Sequence, residues 1–130
     1  MLKKLAPNFM VANVGKTIEF YRDTLGFQVL TTVEGDSETA LAIMHRDNVE
    51  LMFQSRNSPS DNVPALAGSI IGASQTVYIE VSDIGHLYEQ LKGKVEIVVD
   101  LHSTFYGTQE FYFKDINGYI LSFSEAGQEQ

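Results

Sequence analysis

Hydrophobic residues along the chain follow two spacings, one typical of helices and one typical of strands. A short apolar run ends at Asn13. A helical spacing then appears in four apolar residues, Val14, Ile18, Tyr21 and Leu25. Asn13 favours a helix N-terminus because its side-chain oxygen can accept a hydrogen bond from a free backbone N–H. The chain is therefore predicted to begin with a strand that leads into a helix.

Three short apolar runs follow this helix, over residues 27–33, 40–44 and 49–53. The segments between them, 34–37 and 45–48, are rich in residues that favour turns. The first half of the chain is therefore predicted to have the order β-α-β-β-β.

The same order returns after a segment rich in Ser, Asn, Pro and Gly. The pattern predicts a strand, a helix and three further strands, over residues 77–81, 84–91, 95–99, 109–113 and 119–123. Asp83, the expected N-cap of the second helix, lies 70 residues after Asn13 (83 − 13 = 70). We interpret this spacing as an internal repeat of one βαβββ module.

Alternation along the strands divides each predicted sheet into two faces. An apolar set, which includes Phe53 and Phe111, is expected to pack on the helices. The opposite set is more polar and contains Ala6, Asn8, Met10, Asn48, Glu50, Met52, Thr76, Tyr78, Glu80, Glu110, Tyr112, Ser122 and Ser124. Two interpretations remain open. The second face is either the solvated side of an antiparallel sheet, or the wall of a curved sheet that encloses a binding cavity.

A length of 130 residues is enough for one domain. We expect module one over about residues 6–55, a linker over about 56–74 and module two over about 75–126. The net charge of −8 would repel phosphate backbones and anionic membranes, so no nucleic-acid or membrane partner is expected. The chain has no cysteine, which removes disulfides and thiolate metal sites and fits a cytoplasmic protein.

Two stretches of sequence resemble a known family. Residues 11–27 read VANVGKTIEFYRDTLGF, and residues 106–119 read YGTQEFYFKDINGY, with Ile116 where proline is usual. Both are similar to motifs of the vicinal oxygen chelate superfamily, which includes glyoxalase I, bleomycin-resistance proteins, fosfomycin-resistance enzymes and extradiol dioxygenases. The resemblance implies an α+β fold in which two βαβββ modules form a cupped, partly open mixed sheet with helices on its outer face. It also implies a homodimer.

The resemblance further implies that metal-dependent members hold a divalent cation with two side chains from each module. In this chain the matching positions are Ala6, Glu50, Thr76 and Ser122. Only Glu50 could coordinate a metal of this class, which needs several His, Glu or Gln ligands. The three histidines, His45 in a turn, His86 on a helix and His102 in a loop, show no chelating spacing. We therefore predict that the protein holds no metal and no other cofactor.

The cavity interpretation selects candidate site residues. Glu50, Glu80 and Glu110 share one face, and their mutual repulsion would raise the pKa of at least one carboxyl, which makes Glu50 a candidate general base. Alternatively, Glu80 and Glu110 lie at a solvated rim or pair with Arg or Lys side chains. The tyrosines offer stacking faces and hydroxyls. The predicted ligand-binding residues are Asn8, Met10, Met52, Thr76, Tyr78, His102, Tyr106, Glu110, Tyr112 and Ser122.

Three functions are compatible with these residues. The first is a metal-free protein that binds a small organic molecule, and the acidic lining favours a cationic or hydrogen-bonding aromatic one. The second is an enzyme, either a glyoxalase-like lyase or isomerase or a dioxygenase-related enzyme, that uses Glu50 as metal ligand or general base. The third is a regulatory or dimerisation module without a ligand.

Overall fold

The structure is a computed structural model that describes residues 1–56, 64–66, 68–72 and 74–127. Its residues divide into two compact units, with the boundary between Ile71 and Gly72. The first unit contains β1 (Asn8–Val11), α1 (Val14–Asp23), β2 (Gln28–Glu34), β3 (Thr39–Arg46), β4 (Val49–Ser55) and a 3₁₀ turn (Pro64–Leu66). The second contains β5 (Thr76–Glu80), α2 (Ile84–Leu91), β6 (Glu96–Ser103), β7 (Thr108–Lys114) and β8 (Ile120–Ala126).

Both units have the same sheet topology. The strand orders are β1-β4-β3-β2 and β5-β8-β7-β6. In each sheet the first strand is parallel to the last, and the other neighbours are antiparallel. The predicted α+β class and the repeated βαβββ order are therefore confirmed. The predicted linker over about 56–74 lies partly outside the described residues.

Helix α1 forms where the sequence predicts it. The Asn13 side chain accepts a hydrogen bond from the Lys16 backbone N–H at 2.8 Å. The helix ends at Asp23, and Gly26 follows with φ +75°. This left-handed conformation is one that glycine adopts without steric cost.

Helix α2 begins differently from the prediction. Asp83 precedes the helix, but its φ of +57° lies in the left-handed region and its side chain makes no capping bond. The Glu125 carboxylate of β8 caps the helix instead, accepting from the backbone N–H groups of Asp83 at 2.9 Å and Ile84 at 3.0 Å. These bonds lower the pKa of Glu125, because they favour its ionised form.

The apolar core of each unit lies between its helix and its sheet. In the first unit Tyr21 of α1 packs its ring 4.6 Å from Phe53, and both side chains are fully buried. In the second unit Tyr88 of α2 meets buried Phe111 edge-on at 5.3 Å. The predicted helix-facing sets are confirmed at these positions, so each sheet has one face under its helix. We call the opposite one the far face.

Two histidines lie on strands rather than in the predicted connections. Strand β3 extends through His45, and β6 extends through His102. His86 lies on α2, as predicted. Strand β6 is longer than the apolar pattern suggests because it continues through Asp100, whose carboxylate bonds the local backbone.

Candidate functional site

A buried carboxylate occupies the far face of the second sheet. Glu110 on β7 is 2% exposed. Its Oε1 accepts a hydrogen bond from the Tyr106 hydroxyl at 3.0 Å. Its Oε2 accepts from Thr108 at 3.0 Å and from Ser124 at 3.1 Å. No lysine or arginine of the described residues forms an ion pair with Glu110.

These hydroxyls keep Glu110 ionised. Burial alone would raise the pKa of the carboxyl, but the bonds from Thr108, Tyr106 and Ser124, together with nearby His102, lower it overall. Glu110 is therefore not a carboxyl whose pKa is raised by crowding, because donors surround it. The alternative that Glu110 lies solvated at a rim is wrong, whereas Glu80 is exposed.

Each of two hydroxyls bonded to Glu110 contacts a further hydroxyl. The Tyr78 hydroxyl donates to Ser124 Oγ at 2.9 Å. The Oγ1 atoms of Thr104 and Thr108 lie 2.7 Å apart. The carboxylate therefore lies at the centre of a connected set of hydroxyl groups.

Ser122 lies beside this set with an unsatisfied hydroxyl. It is 1% exposed, and its Oγ has no hydrogen-bond partner within the described structure. The strand register places it between Tyr78 and Tyr112. Burial, followed by the charge of Glu110, raises the pKa of Tyr112, so this phenol stays protonated. Buried polar atoms without a partner are rare in native proteins.

Irregular pairing of β6 brings His102 next to Glu110. Val99 pairs with Tyr112, and the next registered pair is His102 with Glu110. Between these two pairs β6 advances by three residues and β7 by only two. This difference defines a β-bulge over Asp100 and Leu101. If the same residues paired regularly onward from Val99, Leu101 would lie opposite Glu110. Bulges of this kind are enriched next to functional sites, where they redirect a side chain.

Asp100 holds the bulge in place. Its carboxylate accepts from the Leu101 backbone N–H at 2.9 Å and from the Tyr88 hydroxyl of α2. Its carbonyl oxygen lies 2.8 Å from Nδ1 of His102. The orientation of the His102 ring is therefore fixed by the strand that carries it.

The hairpin between β6 and β7 adds exposed aromatic surface and a cavity. Phe105 is 99% exposed, and its ring lies 5.0 Å from that of Tyr106 in an edge-on arrangement. A cavity of about 480 Å³ lies at this end of the sheet, with Thr104, Thr108 and Gln109 in its wall. This volume is within the range of small-molecule sites.

The predicted site residues of the first unit have other partners. Lys4 Nζ lies 2.6 Å from Glu50 Oε2, so this carboxylate carries its own cation. Asn8 donates to the Gln54 side chain at 3.2 Å. Met10 and Met52 are half-buried.

The structure brings together six of the predicted ligand-binding residues on the second sheet or its hairpin: Tyr78, His102, Tyr106, Glu110, Tyr112 and Ser122. Thr76 is exposed at the start of β5. A cavity shared with Asn8, Met10, Glu50 and Met52 stays a prediction.

Sequence reasoning missed three hydroxyl residues of this site. Thr108 lies two residues before Glu110 on β7, so strand alternation places both on one face and could have found it. Ser124 was placed on the polar face, but its bond to Glu110 depends on the register of β7 and β8. Thr104 lies just outside β6, and no sequence signal indicates its contact with Thr108.

The donor set does not fit the divalent metal implied by the resemblance. The four matching positions offer a methyl group at Ala6, hydroxyls at Thr76 and Ser122, and one carboxylate at Glu50. Glu50 is bonded to Lys4. Within the described ranges no group of three or more His, Asp or Glu side chains could hold a metal ion. These residues lack the ligand types that zinc and related metals require.

Sequence comparison identifies the class of protein. The sequence model of the Glyoxalase/Bleomycin resistance protein/Dioxygenase superfamily matches residues 5–123. The chain belongs to this superfamily, which confirms the resemblance seen in its motifs. No curated protein sequence matches the chain. None of the described helices is long and apolar enough to cross a membrane.

Solved structures show the same fold at low sequence identity. A glyoxalase/bleomycin resistance protein/dioxygenase from Nocardioides has a TM-score of 0.78 and 19% identity, covering 100% of this chain and 87% of its own. TioX from Micromonospora sp. ML1 has a TM-score of 0.76 and 15% identity, covering 95% and 99%. TnmS3, described as an antibiotic binding protein from Streptomyces sp. CB03234, has a TM-score of 0.70 and 17% identity, covering 98% and 99%.

Proposed function

We propose that this protein binds a small organic molecule, aromatic or cationic in character, without a metal and without changing it chemically. The observation that carries the proposal is the buried, ionised Glu110 with the unpartnered hydroxyl of Ser122 nearby. A polar interior without a balancing cation is costly unless something that binds there compensates it. A guest on the far face of the second sheet would supply the missing partners.

The protonation states support binding rather than proton transfer. An efficient general base has a pKa near the working pH. The pKa of Glu110 is instead lowered, and those of Tyr106 and Tyr112 are raised, so none of these groups changes charge near neutrality. TnmS3, which shares the fold, is described as an antibiotic binding protein, and this also supports a binding role.

Thermal-shift screening tests this function. The untreated protein is screened against cationic glycopeptides, aromatic amines and neutral aromatic metabolites, and hits are confirmed by equilibrium dialysis. A ligand present at 100 times its Kd adds about 2.7 kcal/mol of stability and raises Tm by several degrees. Glu110→Gln is expected to lose the shift, whereas Glu19→Gln, which removes an exposed carboxylate of α1, should keep it.

Two results would contradict the proposal. One is the absence of any shift across a broad panel. The other is a stoichiometric metal found by elemental analysis of protein purified without a histidine tag, which would favour the lyase or dioxygenase-related alternative. In that case Glu50→Gln should abolish turnover while substrate still binds.

We also propose that the protein is a cytoplasmic homodimer. Strand β2 is an edge strand and leaves Val29, Leu30 and Val33 between 41% and 54% exposed. Unpaired edges with apolar side chains favour association with another chain. Light scattering coupled to size-exclusion chromatography should give twice the chain mass of 14.5 kDa, and a monomer at micromolar concentration would contradict the dimer.

A further inference from the structure

The positions of the hydroxyl hydrogens around Glu110 follow from one rule. An ionised carboxylate can only accept hydrogen bonds, whereas each hydroxyl has a single hydrogen to donate. Tyr106, Thr108 and Ser124 all bond to Glu110, so each points its hydrogen at the carboxylate.

This assignment fixes the second layer as well. Because Ser124 already donates to Glu110, Tyr78 must be the donor in the bond between them. Thr108 likewise donates to Glu110, so Thr104 is the donor to Thr108. Every outer hydroxyl of the set therefore directs its hydrogen inward.

The surface that a ligand meets consequently offers lone pairs. Tyr78 is 55% exposed and Tyr106 is 57% exposed, so a ligand can reach both side chains. His102 pairs with Glu110 across the strands, and its ring is held from within β6. Its Nδ1 lies 2.8 Å from the Asp100 carbonyl oxygen, and because a carbonyl can only accept, Nδ1 is the donor in this bond.

Three properties thus coincide on the far face of the second sheet: a buried negative charge, exposed aromatic rings and outward-facing acceptors. A ligand that satisfies all three is a cation, carries a planar or apolar group and has N–H hydrogens on its charged nitrogen. A quaternary ammonium group satisfies the first two but has no hydrogen to donate. An anion satisfies neither the charge nor the acceptors.

We propose, building on the binding function above, that this site selects cations with N–H donors, namely primary ammonium or amidinium groups on an aromatic scaffold, over quaternary ammonium groups. The selectivity arises from charge-assisted N–H···O bonds to the outer oxygens of Tyr78 and Tyr106. Glu110 acts from beneath, where its charge polarises both hydroxyls.

Four probes of similar size test this selectivity: benzamidine, benzylammonium, benzyltrimethylammonium and benzoate. Each is titrated into ¹⁵N-labelled protein near neutral pH, and amide shifts of β5, β7 and β8 are followed. Benzamidine and benzylammonium should bind about tenfold or more tightly than benzyltrimethylammonium, because one charge-assisted hydrogen bond contributes at least that factor. Benzoate should produce no shifts at these residues.

Two variants test whether Tyr78 and Glu110 produce this selectivity. Tyr78→Phe keeps the ring and removes one outer acceptor, and since Tyr78 is exposed this variant should fold. The preference for benzylammonium over the trimethylated probe should then fall several-fold. Glu110→Gln should weaken every cationic probe about tenfold, while Glu19→Gln should leave their affinities unchanged.

The outcomes separate this inference from the function on which it rests. If benzyltrimethylammonium binds as tightly as benzylammonium, or if the ligands found by screening are neutral or anionic, donor selectivity is wrong and the binding function stands. If neither the probes nor the screening panel bind, both are wrong.

Discussion

The two units share a topology but treat the carboxylate on the far face in opposite ways. In the first, Glu50 pairs with Lys4 at 2.6 Å, and its charge is balanced within the unit. In the second, Glu110 is buried among hydroxyls and has no ion pair among the described residues. The hydroxyls stabilise the charge without cancelling it. The comparison indicates that the second sheet leaves a negative potential for a ligand to use, whereas the charge of Glu50 in the first is paired.

The two helices differ in a related way. Helix α1 is capped by the side chain just before it, whereas α2 depends on Glu125 from a distant strand. A local cap forms with the helix itself, but the cap of α2 requires β8 to be in place. The second unit therefore couples its helix to the strand that also carries Ser122 and Ser124.

The largest loss of stability should follow substitutions in the aromatic cores, and it should be similar in the two units. Phe53 lies against Phe9 and Tyr21, and Phe123 lies against Phe111 and Phe113. Replacing Phe53 or Phe123 by Ala should cost about 3–5 kcal/mol each, because a buried ring leaves a cavity. Urea denaturation measures both, and a loss below about 1 kcal/mol in either would place that ring outside the core.

Acid should lower the free energy of unfolding through Glu110, a carboxylate of the second unit that has no paired counterpart like Lys4 within the described part of the chain. Its folded-state pKa lies below the ordinary carboxyl value, so its contribution to stability is fully present above that value and is lost as the pH falls through the folded pKa. His102, Tyr78, Tyr106 and Tyr112 share its face, and the phenols carry no charge in this range. Between pH 6 and pH 3 the wild type should lose more stability than Glu110→Gln in urea titrations. Equal pH slopes would mean that Glu110 is not held ionised.

The helix caps should respond to pH differently. Asn13→Ala is expected to cost about 1 kcal/mol at any pH, because the amide does not titrate. Glu125→Gln should destabilise at neutral pH and progressively less in acid, since its lowered pKa means that the capping charge is lost only as the pH falls. Thermal unfolding at pH 7 and pH 3.5 measures both. A pH-independent effect of Glu125→Gln would contradict its role as a charged cap.

The smallest change in the free energy of unfolding is expected on replacing Gly15 of α1 and Gly85 of α2, which occupy equivalent positions in the two helices. Gly85→Ala in α2 should stabilise by about 0.5–1 kcal/mol, because alanine loses less backbone entropy on folding and its added carbon meets no atom within 4 Å. Gly15→Ala in α1 should gain less, because the added carbon lies 3.4 Å from the capping oxygen of Asn13. Urea denaturation of the pair checks this, and a larger gain at Gly15 would contradict it.

Much of the fold was predictable because local signals agree with the tertiary structure. Asn13 caps α1, Gly118 turns the last hairpin with φ +88°, and strand alternation identified the helix-facing sides. The capping of α2 by Glu125 of β8 was not predictable, because Glu125 is 41 residues from Ile84 in sequence. Nothing local marks such a contact.

The candidate site was predictable in composition but not in arrangement. Alternation placed Tyr78, Glu110 and Ser122 on one face, and the family match drew attention to Ser122. The lowered pKa of Glu110 depends on hydroxyl directions that no periodicity encodes. His102 was predicted to contact ligand from a loop, but it lies on β6, because a bulge breaks the alternation from which strand positions are inferred.

Because of that bulge, the register of β6 decides which side chain lies opposite Glu110. If β6 instead paired regularly onward from Val99, Leu101 would lie opposite Glu110, so an aliphatic group would replace the imidazole without any change of sequence. A change in the register of β6 should therefore be as effective as a substitution in altering which molecules the surface accepts. Relatives that carry the same residues on β6 in a different register would then differ in specificity.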